Sequence, residues 1–214
     1  MVDDSRGFET EARSQGNIVV VSGMPRSGTS MMMQMLEAGG LEIHCDTHRA
    51  PDIDNPKGYY ELEATRRLKT DSSFLSDACG KVVKVVAPLL PSLPAQYEYQ
   101  VIFMERAMDE VLASQVAMLQ RGDPKEKTES TGQGLDRAFQ EVGRRVKVWL
   151  EQSNNLTTHF LEHRYVLESP TEASVETLRF LRQSGAFGST SVDHAKMVSR
   201  MAAVVDPNLY RQRL

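Results

Sequence analysis

Gly23 and Gly28 lie in the segment Gly-Met-Pro-Arg-Ser-Gly-Thr-Ser, Gly23 to Ser30, whose residue types favour one chemistry. Glycine tolerates positive φ and lets a backbone approach a ligand closely. Successive N–H groups in such a turn, at the start of a helix, curl around an anion and turn their dipoles toward it. Ser27, Thr29 and Ser30 add hydroxyls and Arg26 adds a planar cation suited to an oxyanion. Further along, Arg106 ends an apolar run and is the kind of side chain that clamps a phosphate through two parallel N–H groups, with Ser114 following it. Lys84 is a cation inside a β-branched run, and Glu61 and Glu63 are carboxylates able to take up a proton. His44, Cys45, Asp46 and His48 cluster without the ligand spacing of a zinc knuckle or a zincin, so no metal centre is expected.

These groups need elements to hold them. Ile18 to Ser22 is an unbroken apolar run of the type found in a strand covered on both faces. The glycine segment follows at once, and Met31 to Ala38, stopped by Gly39 and Gly40, reads as a helix. Met31, Met32, Met33 and Met35 are assigned to core packing of that helix. His44 to Gly58 reads as a polar connection and Tyr59 to Lys69 as a short helix, which Glu61 and Glu63 would equally well cap or solvate. Tyr59 and Tyr60 either line a pocket or pack.

Strands are expected at Lys81 to Val86, closed by Pro88, Pro91 and Pro94, at Gln100 to Met104, and within Thr157 to Val166. Helices are expected at Met108 to Arg121, Leu135 to Glu151 with Trp149 in the core, Thr171 to Gln183 after a Ser169 or Thr171 cap, and Val192 to Val204. Gly122 to Gly134 reads as an exposed loop. Alternation of strands with helices predicts a three-layer α/β domain, of the P-loop NTPase-like kind, with a central, mostly parallel sheet whose carboxyl edge carries the ligand.

A loop for nucleoside triphosphates would place Lys at position 29 and an aspartate at a strand end for magnesium. Thr29 stands there, and the candidate strands end in Ala87-Pro88 and Glu105-Arg106. The segment Gly23 to Ser30 instead resembles the 5′-phosphosulfate loop of the sulfotransferase family, G-x-P-[KR]-[SGA]-G-T-[ST], most nearly its protein-tyrosine and bacterial members. FMERAMDEVLAS matches the family's second segment, and GKVVKVVAPLLPSLP looks like its second strand and exit turn. HRYVLESPTEASVETLRFL resembles a later strand-and-helix element, and together these cover most of residues 17 to 185.

The resemblance implies transfer of a sulfuryl group from 3′-phosphoadenosine 5′-phosphosulfate (PAPS) to an unidentified hydroxyl or amine, with no metal required. Gly23, Pro25, Arg26, Ser27, Gly28, Thr29 and Ser30 would hold the 5′-phosphosulfate, and Arg106 with Ser114 the 3′-phosphate. Lys84 would stabilise the bridging oxygen as sulfate leaves. Val86 stands where cytosolic members keep a basic histidine, so Glu61, then Glu63, becomes the candidate base, ahead of His44 or His48. A P-loop kinase or NTPase, and a nucleotide-binding module that has lost its base, are the alternatives.

With 40% hydrophobic and 25% charged residues among 214, the composition is that of a chain that buries one core rather than a disordered one. The net charge of −4 lacks the basic excess of a general nucleic-acid binder. No apolar run approaches the ~20 residues of a membrane span. Two cysteines fit a reducing, cytoplasmic setting, although Cys45 and Cys79 could still bridge. Residues 1–16 read as a flexible leader and 17–214 as a single domain.

Overall fold

The computed structural model describes residues 16–46, 58–121, 133–183 and 193–209. Five strands, β1 (Asn17–Gly23), β2 (Ile43–His44), β3 (Val82–Lys84), β4 (Glu98–Glu105) and β5 (Leu156–Glu162), form one sheet in the order β2-β3-β1-β4-β5. Every pairing is parallel. The helices are α1 (Thr29–Ala38), α2 (Met108–Arg121), α3 (Gln133–Gln152), α4 (His163–Glu168), α5 (Pro170–Gln183) and α6 (His194–Ala203).

Side chains alternate across a strand, and β1 uses both sides. Ile18 and Val20 join Val83, Tyr99, Val101, Val146 and Leu150 on the face covered by α3 and short 3-10 turns. Val19 and Val21 join Met32, Met33, Leu36, Leu178 and Met201 on the face covered by α1, α5 and α6. Two cores with the sheet between them make three layers. Met32, Met33 and Met35 are fully buried, each stabilising the fold by roughly 2 kcal/mol through lost apolar contact with water. Trp149 is half-buried against the α3-side core.

Local signals explain most boundaries. Gly40, at φ 93°, ends α1, and the Leu41 amide returns to the Leu36 carbonyl at 3.0 Å, a glycine stop of the Schellman type. Asp193 caps α6 by accepting from the Lys196 amide at 3.3 Å. β3 is shorter than the expected Lys81 to Val86. The Val85 amide still reaches the Val21 carbonyl, but the chain then winds into a 3-10 turn over Ala87–Ser92, whose Pro88 and Pro91 have no N–H for a ladder.

Three further elements depart from expectation. β2 falls at the start of the expected polar connection: Ile43 and His44 pair with Val82 and Val83 as an edge strand too short to carry a periodic signal. The run Thr157 to Val166 divides, with His163 opening α4. The helix expected over Tyr59 to Lys69 shrinks to a 3-10 turn at Glu63–Arg67, because Tyr60 sits at φ 53° and the Tyr59 carbonyl is engaged by Lys84. Glu61 therefore precedes that turn and does not cap a helix. The leader Met1 to Gln15, residues 47–57 of the connection with His48, and residues 122–132 of the exposed loop lie outside the described residues.

Candidate functional site

Parallel strands bring whatever follows them to one edge. β1 ends at Gly23 beside Met104, β4 ends at Glu105 beside Glu162, and Lys84 closes β3 beside Val21. The glycine loop, Arg106, His163 and Lys84 thus issue from adjacent strand ends. β1 is the strand at which the order reverses, leading to β3 on one side and β4 on the other, the place where such sheets bind ligands.

Gly28 is the N-cap of α1 at φ 97° and, being glycine, brings no side chain to cap that helix end. The first-turn amides of α1 lie at the loop, where an anion would be stabilised by them and by the helix dipole. A Cβ on Gly28 would lie 2.5 Å from the His163 ring, and one on Gly23 would lie 2.6 Å from the Met104 carbonyl oxygen. Both glycines are therefore demanded by close approach as well as by turn geometry.

Ser27 turns inward. Its amide donates to the Met24 carbonyl at 3.1 Å, and its hydroxyl is buried against Gly23. Its contribution is to close the loop. Arg26 occupies the left-handed region at φ 71°, unusual for a residue with a side chain. Its Nε donates to Ser114 Oγ at 3.0 Å, and its carbonyl accepts from Arg106 Nη1 at 3.0 Å. The two segments singled out in the sequence, separated by 80 and 88 residues, meet here. Arg106 Nε also donates to Glu110 Oε2 at 2.8 Å.

On the β3 side Lys84, 7% exposed, donates to Ser30 Oγ at 3.2 Å and to the Tyr59 carbonyl at 2.9 Å, with Glu61 Oε1 at 4.0 Å. The Ser30 hydroxyl lies 3.4 Å from the same Tyr59 carbonyl. Glu61 also faces Arg66 at 3.7 Å, whereas Glu63 is exposed and pairs with Arg66 at 3.5 Å. The carboxylate beside Lys84 is thus that of Glu61. Tyr59 is buried and Tyr60 donates to Glu37 at 2.6 Å, so Tyr60 packs on α1. Burial, then the bond to Glu37, raises the Tyr60 phenol above its ordinary value.

His163 and Glu110 escaped the sequence reading. Glu110 carried only its place in the first turn of the expected helix Met108 to Arg121, four residues after Arg106. His163 carried no signal, because it fell inside the run Thr157 to Val166 read as holding a strand. Burial, reinforced by the Arg106 charge and opposed by Glu110, lowers its imidazole to about 4, so the ring over Gly28 is neutral at pH 7.

Val86 is 37% exposed two residues beyond Lys84. Among the described residues no group of three or more His, Cys, Asp or Glu side chains is gathered as metal ligands, and no helix is long and apolar enough to cross a membrane. No family model and no curated protein sequence matches the chain.

Proposed function

We propose that the protein is a sulfotransferase that takes a sulfuryl group from PAPS and delivers it to a hydroxyl or amine acceptor. The observation that carries this reading is the meeting of Arg26 with Ser114 and Arg106 at the mouth of a glycine loop, on the carboxyl edge of a parallel sheet. The residues fit an anionic donor: α1 begins at a glycine that brings no side chain to the helix end, and Arg26, Lys84 and Arg106 bring positive charge. The donor, when bound, supplies a sulfuryl group whose bond to the bridging oxygen breaks as the acceptor atom bonds sulfur.

The chain's own groups then have separate tasks. The loop amides and Arg26 hold the phosphosulfate, and Arg106 with Ser114 holds the second phosphate. Lys84, fixed by Ser30 and by the Tyr59 carbonyl, carries positive charge toward the oxygen that departs. Glu61 accepts the acceptor's proton. The reading includes a cytoplasmic setting, supported by the free thiols of Cys45 and Cys79. The exposed, apolar Val86 favours a second reading, a donor-binding module without turnover.

Calorimetry with adenosine 3′,5′-bisphosphate in the presence of a chelator tests the site. Binding that Arg26→Ala abolishes is expected, and unchanged binding in that variant removes the assignment. Binding that requires magnesium and ATP or GTP would replace it with a kinase or NTPase. Transfer of labelled sulfate from PAPS to an acceptor panel separates the enzyme from the binding module.

A further inference from the structure

We propose that Glu110 is a positioning residue for the anion loop, acting through Arg106 on the backbone of Arg26. The proposal rests on the reading of that loop as an anion cradle. Arg106 Nε donates to Glu110 Oε2 at 2.8 Å, with the two side chains only 7% and 8% exposed. A guanidinium is flat and rigid, so fixing Nε fixes where Nη1 points. Nη1 points at the Arg26 carbonyl, 3.0 Å away.

Arg26 is where such a hold matters, because a left-handed backbone with a side chain persists only where its surroundings over-determine it. Its carbonyl is held through Glu110 and Arg106, and its side chain by Ser114, one turn further along α2. One face of α2 therefore grips the loop at two points. His163 walls the other side, packed over Gly28 and lying in the field of both Arg106 and Glu110.

Charge alone makes the opposite prediction. A carboxylate beside an anion site repels the anion, so removing it would tighten binding if it did nothing else. Positioning requires that removal weaken binding.

Glu110→Met in the full chain keeps much of the side-chain volume and removes both charge and acceptor. Its affinity for adenosine 3′,5′-bisphosphate is expected to fall about tenfold or more, the worth of a charge-assisted hydrogen bond. Amide exchange across residues 23–31 should accelerate while α5 stays unchanged. Glu110→Gln keeps an acceptor oxygen and should restore affinity to within about threefold.

Equal or tighter binding by Glu110→Met, or loop exchange at the wild-type rate, overturns the proposal. If that variant does not fold because Arg106 is left uncompensated, the double variant Arg106→Met/Glu110→Met removes both charges, and wild-type loop exchange in it is equally fatal. Faster loop exchange in a protein whose wild type binds no bisphosphate would refute the donor and leave the positioning role standing. Wild-type binding with an indistinguishable Glu110→Met refutes the positioning role alone.

Discussion

On the β4 side of the sheet edge, the buried Glu110, Ser114 and His163, carried on α2 and α4, meet Arg26 of the glycine loop and Arg106 of the short link between β4 and α2. On the β3 side, Lys84 is held by the carbonyl of Tyr59, and the Tyr59–Glu63 stretch is tied down by the Asp46 amide on the Glu61 carbonyl and the Glu63 amide on Asp46. Glu61, Glu63 and Arg66 there are partly or largely exposed. The first arrangement resists change, because losing any member leaves a buried polar group or a void. The second uses irregular chain, which tolerates variation.

The contrast can be broken most forcefully at Gly28. Gly28→Ala combines a positive φ with a collision at the His163 ring and is expected to cost about 4 kcal/mol of stability, read from the denaturant midpoint. A loss under about 1 kcal/mol would mean that the β4 side is looser than its contacts suggest.

His163 sharpens the contrast through pH. Its folded-state value, about 4, lies below the ordinary 6.5, so the unfolded chain binds the extra proton and stability falls as pH drops from about 6.5 toward 4. The contribution is on the order of 3 kcal/mol, present in full above pH 7. His163→Leu should flatten that part of the stability profile. A wild-type profile level between pH 7 and 4.5, with no difference in the variant, would contradict the buried, neutral ring.

The smallest effect is expected on the other side. Arg66→Ala removes two exposed ion pairs, with Glu61 at 3.7 Å and Glu63 at 3.5 Å, and should change stability by less than about 0.5 kcal/mol. A larger loss would show that the β3 side is as tightly built as its neighbour.

The stretch from Asn17 to Ala38 was legible as strand, glycine loop and helix because each boundary is a local event: a β-branched apolar run, glycines at the turn, a glycine stop. α2 was legible to the residue, Met108–Arg121, and with it the spacing of Arg106 and Ser114. The 3-10 turn in place of a helix after Tyr59 was not, since what unwinds it is a carbonyl claimed by a lysine from another strand. Likewise β2 has too few residues for a pattern, and its pairing depends on β3 already being in place.

The sequence by itself determined the strand, glycine loop and helix from Asn17 to Ala38 and the extent of α2, because periodicity and glycine act over a few neighbouring residues. Tertiary structure decided that Arg26 meets Ser114, that Glu110 fixes Arg106, and that His163 lies neutral over Gly28. Those outcomes depend on strand order and register, which bring residues distant in the chain to one edge, and on burial, which sets a charge only once the surrounding layers are packed.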